Sequence, residues 1–196
     1  LHMFKFYYSM KKQYKCELLY TDTDSLLMQI YADNLEKDFY EKNLDLFDTS
    51  NFPVDHPLYS TRNKAVVGKF KSETGNRTIT EFVGLRSKMY SIKLSDNTTI
   101  KKAKGIGKVV TKNELRHEMY LECLTERKIF TNTMHAIRSD HHHLGLYEQT
   151  KKSLNPLDTK RYILDDGITT LPFGHYAAIT CNSSLTNDRS GAGVVK

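Results

Sequence analysis

Two aspartates one residue apart, Asp22 and Asp24, stand in the run LLYTDTDSLL at positions 18–27, between two pairs of leucines. Carboxylates of this kind are the short, hard-oxygen donors that magnesium and manganese prefer. Held close together they repel one another, and a cation between them removes the repulsion. An ordinary acidic turn also reads D-x-D, so the pair alone is weak. Its setting is more specific. Tyr20 precedes it, Thr23 lies inside it and Ser25 closes it, giving Y-x-D-T-D-S between apolar strands.

A second group follows downstream, where Lys88-Met89-Tyr90 lies in a strongly basic block. From Arg62 to Lys112 there are thirteen basic and three acidic residues; from Glu17 to Asp55 there are ten acidic and two basic. Solvated surface charge can produce such segregation. It is also what a site that processes a polyanion requires, an acidic centre beside a basic surface. Asp140-His141-His142-His143 reads as a surface loop, because three adjacent histidines on a regular strand or helix cannot all reach one zinc ion. Cys16, Cys123 and Cys181 are odd in number, widely spaced and without a C-x-x-C, as expected of free thiols in a reducing compartment.

The elements that must position these residues can be read from periodicity. At 196 residues, 39% hydrophobic and 27% charged, the chain can hold one good core or two small subdomains. No apolar run reaches the roughly 18–20 residues of a membrane helix. The opening LHMFKFYYSMKKQY reads as an amphipathic helix carrying Met3, Phe4, Tyr7, Tyr8 and Met10, and as the interior of a longer chain rather than a signal peptide. CELLY and SLLMQIY then form a hairpin around TDTD. Asp33 to Leu46 is predicted helical, and FDTSNFPVDHP breaks it. AVVGKFKSE, TITEFVGLRSKMYSIKL and TTIKKAK are predicted strands separated by TGN and SDN turns. Alternation in KMYSIKL puts Met89, Ser91 and Lys93 on one face, and Lys88, Tyr90, Ile92 and Leu94 on the other. Thr111-Lys112-Asn113-Glu114 is predicted to cap a helix bearing Leu115, Met119, Cys123 and Leu124. IFTNTMHAIR is a predicted strand, followed by a polar loop and by KRYILDDGITTLPFGHY, with a turn at Asp165-Asp166-Gly167. Residues 177–196 are predicted to form a disordered tail.

On these residues the chain resembles the family B DNA polymerases of protein-primed type, carried by Polinton-like elements and viruses. Y-x-D-T-D-S is similar to their motif C, the palm hairpin. Lys88-x-Tyr90 is similar to their primer-holding Lys-x-Tyr, and Val67 to Glu73 is similar to the strand before it. Residues 101–108 and 161–176 resemble the thumb end, so the similarity spans about residues 1–176. The resemblance implies an α+β fold with a palm-type β-hairpin and flanking helices in 1–60, and a β-rich thumb-like subdomain in 61–176. It implies two-metal nucleotidyl transfer with Mg2+ or Mn2+, Asp24 being the direct ligand and Asp22 a supporting carboxylate. Tyr20, Thr23 and Ser25 would support the turn. Lys88 and Tyr90 would hold the primer end, and Lys69, Lys71, Arg86, Lys101, Lys102, Lys104 and Lys108 would meet phosphates. The implied partners are primer–template DNA, a deoxynucleotide and a terminal priming protein, with no membrane. The implied location is intracellular, in a nucleus or at a viral replication site.

Two family patterns do not occur in the sequence: the upstream D-x-x-S-L-Y-P aspartate strand and the K-x3-N-S-x-Y-G fingers helix. The chain therefore reads as an incomplete polymerase domain, the C-terminal palm and thumb, that does not polymerise by itself. Two other classes compete with it. In a glycosyltransferase, D-x-D would bind manganese and a sugar diphosphate, leaving the basic block unexplained. In a non-catalytic nucleic-acid-binding remnant the aspartates would be dispensable.

Overall fold

A computed structural model describes residues 1–157, 161–164, 166, 169–172, 174–176 and, for the backbone alone, 193–195. Two compact units, Leu1–Thr78 and Ile79–Lys196, divide the chain, and both mix helices with small sheets.

The first unit opens with α1 (His2–Gln13), whose last turn carries Lys11 and Lys12 beside the negative end of the helix dipole. Its buried residues are Phe6 and Met10, one turn apart, while Phe4 and Tyr8 of the expected stripe are exposed. The ring of Phe6 decides which face turns inward. It stacks on Phe70 at 3.9 Å and meets Phe47 edge-on at 5.9 Å. β1 (Cys16–Asp22) and β2 (Ser25–Ile30) form the expected antiparallel hairpin. One side of it is only partly buried, through Leu26, Met28 and Ile30 packed on the aromatic cluster of Phe6, Phe39 and Phe47.

The predicted helix after the hairpin is distorted into a π turn at Glu36–Tyr40 and a 3-10 turn at Glu41–Leu46, with a kink at Asn43. The buried Asn43 amide causes the kink by donating to Phe39 O at 2.8 Å and to the Tyr14 hydroxyl at 2.7 Å. Such a side chain competes with the helical ladder for backbone carbonyls. β3 (Phe47–Asp48) then pairs in parallel with β4 (Phe70–Lys71). The strand expected over AVVGKFKSE is confined to two residues. Ala65 (φ +57) and Gly68 (φ +83) turn the chain, and only Phe70–Lys71 extends.

In the second unit β5 (Ile79–Arg86), β6 (Met89–Leu94) and β7 (Thr99–Ala103) form an antiparallel meander, as the alternation and SDN turn predict. β12 (Gly193–Val195) adds to the free edge of β5. These three residues of the expected tail are thus a strand; residues 177–192 and 196 lie outside the described residues. α2 (Lys108–Asn113) and α3 (His117–Thr125) follow β7. The core between sheet and helices comprises Val83, Leu85, Met89, Ala103, Leu115, Tyr120 and Cys123. Leu94 is buried as well, although alternation places it with Tyr90 and Ile92. The expected capping box does not form. Thr111 lies inside α2, where its hydroxyl donates to Gly107 O at 3.1 Å, and Arg116 precedes α3 instead. Burial raises the Cys123 thiol to about 11, against a smaller opposing effect of Arg86, and makes it an unreactive core residue.

β8 (Phe130–Asp140) is the predicted strand, but the polar loop after it is a second strand, β9 (His143–Leu154). The two form a long ribbon whose tip is His141-His142, both at positive φ. β10 (Arg161–Ile163) and β11 (Thr170–Pro172) make a short hairpin; Asp165 and Gly167 of the predicted turn lie outside the described residues. Among the described residues no helix is long and apolar enough to cross a membrane.

Candidate functional site

Asp22 is the last residue of β1, and Asp24 lies in the two-residue turn Thr23-Asp24 that leads into β2. The turn is tight. The Asp24 amide donates to Asp22 O at 2.7 Å, and Thr23 sits at φ +58. A β-branched residue in the left-handed region costs on the order of 1–3 kcal/mol. Hydroxyls hold the turn in place: Thr23 donates to Asp22 Oδ1 at 3.2 Å, Ser25 to Asp22 O at 3.2 Å, and Thr21 to Ser25 O at 3.1 Å.

A bulge at Leu19 aims Asp22. Below it Cys16 opposes Ile30 and Leu18 opposes Met28; above it Tyr20 opposes Leu27 and Asp22 opposes Ser25. Residues opposite one another share a face, and alternate residues along a strand share one too. Without the bulge Asp22 would fall on the side of Cys16, Met28 and Ile30, which packs on the aromatic cluster. The extra residue reverses the alternation. Asp22 and Tyr20 therefore occupy the opposite face, beside Leu27. This device was missed in the sequence, where LLY reads as unbroken strand.

The tip matches a hard divalent cation in donor type, with two carboxylates of which Asp24 is exposed. Among the described residues no group of three or more His, Cys, Asp or Glu side chains converges on one point. Asp22 and Asp24 are the carboxylates that the hairpin brings to its tip. Asp38, just downstream, is engaged locally, accepting from the Asn34 amide at 3.0 Å and pairing with Lys42 at 3.6 Å.

Another carboxylate in this unit has a different fate. Asp48 is buried, and burial alone would raise its pKa. Hydrogen bonds from the Ser50 hydroxyl and amide, the Ala65 amide and the Lys71 ammonium outweigh that and hold it well below the usual carboxylate range. Lys71 therefore forms an ion pair at 3.2 Å across the β3–β4 rung, with a second bond to Ser50. Lys69 donates to Asp45 O. Both lysines named as phosphate contacts already bind the protein.

The second unit gathers the other candidates. Lys88 is not on a strand; with Ser87 it forms the β5–β6 turn, at φ +58. Tyr90 lies on β6 between Gly84 and Lys102, so these three residues share a rung and a face, directed away from the core residues Met89 and Ser91. Phe82 lies 6.0 Å from Tyr90. Its ring crosses Gly84, where a Cβ would come within 2.9 Å. Lys104 is tied to the same end of the sheet by its amide, which donates to Lys88 O at 3.0 Å. Arg86 flanks the turn and donates to Leu157 O at 3.4 Å. Lys108 begins α2 and is exposed. Lys101 points to the core side, where its ammonium bonds Lys112 O at 3.1 Å and Leu115 O. Arg86, Lys88, Tyr90, Lys102 and Lys104 thus lie within two rungs of one sheet end.

One constellation had no signal in the sequence. Ser91 Oγ lies 2.8 Å from His117 Nδ1, and His117 Nε2 lies 3.5 Å from Glu81 Oε2, all within the second core. Ser91 is completely buried, so this Ser–His–Glu set cannot meet a substrate. His141 and His142 sit at the exposed ribbon tip. No protein-family model, curated protein or solved structure matches this chain.

Proposed function

We propose that the chain supplies the metal-binding hairpin and the primer-gripping sheet of a protein-primed family B DNA polymerase. The carrying observation is Y-x-D-T-D-S at a hairpin tip, with Asp22 turned off the core-facing side by the Leu19 bulge. Asp24 and Asp22 hold the divalent ion. When bound, that ion supplies the positive charge that favours attack of a primer 3′ oxygen on a nucleotide phosphate. Tyr90 and Lys88 orient the primer end, and Lys102, Lys104 and Lys108 neutralise backbone phosphates without reading sequence. The sequence carries neither D-x-x-S-L-Y-P nor K-x3-N-S-x-Y-G, so the isolated chain binds primer–template but does not extend it.

Fluorescence anisotropy on a labelled primer–template across a salt series tests the DNA half. Lys102→Ala and Lys104→Ala should each reduce the slope of log affinity against log salt by about 1. Lys101→Ala should leave the slope unchanged and lower the melting temperature, because its ammonium bonds α2. Wild-type chain with no salt-dependent affinity for primer–template would overturn the proposal. A nucleotide sugar that displaces bound Mn2+-dependent ligand where primer–template does not would favour a glycosyltransferase instead.

A further inference from the structure

We infer that α3 is a positioning element, and that His117 and Tyr120 set from behind the strands presenting Tyr90 and Lys102. The inference rests on the DNA-binding role proposed above for that face. Tyr90 and Ser91 are consecutive on β6 and point to opposite sides of the sheet. Behind Tyr90, Ser91 is held at 2.8 Å by His117, the first residue of α3. Behind Lys102, the Tyr120 hydroxyl donates to the Lys102 carbonyl at 3.0 Å. Tyr90 and Lys102 are rung partners. One helix therefore grips, through two directed bonds, the two strands at the rung that carries Tyr90 and Lys102.

Stability alone does not explain this choice. The surrounding core is apolar, and burying polar groups there is unfavourable unless every one is paired. Here the pairing is incomplete, since His117 Nε2 and Glu81 Oε1 have no hydrogen-bond partner. An apolar contact in the same place would hold helix to sheet with less strain, but it is non-directional and does not fix a strand's rotation. Hydrogen bonds constrain both distance and angle. The other ring nitrogen, Nε2, lies 3.5 Å from Glu81 Oε2 of β5, so His117 stands where α3, β6 and β5 meet. His117, Ser91, Glu81 and Tyr120 touch no DNA in this arrangement; they act through Tyr90 and Lys102.

Ser91→Ala and Tyr120→Phe each delete one oxygen and preserve the packed shape, so both variants should fold. Each should weaken primer–template binding about five-fold with an unchanged salt slope. The Ser91→Ala loss should vanish in a Tyr90→Ala background, and the Tyr120→Phe loss in a Lys102→Ala background. In the free chain, amide exchange at Tyr90 and Lys102 should quicken about ten-fold while that of β8 and β9 stays unchanged. A lower melting temperature with unaltered affinity, equal losses in both backgrounds, or unaltered exchange at Tyr90 and Lys102 would overturn the inference. Failure of wild type to bind primer–template at all would instead count against the DNA-binding role; the exchange measurement would still decide whether α3 positions that rung.

Discussion

The two units build charged surfaces on opposite kinds of support. In the first, carboxylates sit at the end of a two-stranded hairpin that touches its aromatic core along one side only. In the second, lysines and Tyr90 sit on the back of a sheet whose other face packs into the core with α3. The difference suits the chemistry proposed for each surface. A hairpin tip lets paired carboxylates reach a cation and its water, and repulsion between them is relieved on binding. A surface that grips a long polyanion needs several charges at fixed spacing, and a rigid sheet provides that.

The same contrast operates within the first unit alone. Asp48 and Asp24 are identical side chains, 24 positions apart in the same fold. Asp48 is buried and saturated by donors from Ser50, Ala65 and Lys71, whereas Asp24 is exposed at a tip. The first serves the fold; the second is open to solvent, as the proposed metal role requires.

Substitutions of like size in the two units should separate the supports most sharply. Leu115 is fully buried in the second core, so Leu115→Ala should cost about 2–5 kcal/mol. Leu18, on the hairpin, is 38% exposed, and Leu18→Ala should cost less than about 1 kcal/mol. Urea unfolding monitored separately in each unit checks this, and equal losses would mean the hairpin is better packed than its exposure indicates.

Acid sensitivity gives a smaller effect. Asp48 has a lowered folded pKa, so its contribution is fully present above the unfolded carboxylate value of about 3.9. That contribution is lost as pH falls through the folded value. The first unit should therefore lose stability in acid. Asp48→Asn should cost about 1–3 kcal/mol at neutral pH and flatten the first unit's pH profile. An unchanged profile in Asp48→Asn would assign the acid response to other carboxylates.

The sequence disclosed the parts of the fold in which one wet face alternates with one dry face. β6 comes nearest to that form, while β1 and β2 were legible as short apolar runs on either side of TDTD. β9 was invisible because HLGLYEQTKKSL belongs to a ribbon exposed along most of both faces, so no period-two pattern marks it. The Leu19 bulge was invisible because an inserted apolar residue leaves an apolar run apolar. Lys101 and Lys102 look alike in sequence, and only register shows that one faces the core side and the other solvent. The pairs Asp48–Lys71 and Ser91–His117 join residues 23 and 26 positions apart, a separation at which no local pattern reports contact. Of the candidate site, the types and order of Asp22, Asp24, Lys88 and Tyr90 were legible; their aim was not.

The central proposal is that Asp22 and Asp24 hold a divalent metal that contributes to primer–template binding. It is tested most directly by primer–template anisotropy with and without Mn2+, comparing wild type with Asp24→Asn. The account predicts that Mn2+ tightens binding by wild type and that Asp24→Asn abolishes this increment while leaving metal-free affinity equal or higher. An Mn2+ increment that survives in Asp24→Asn would contradict it.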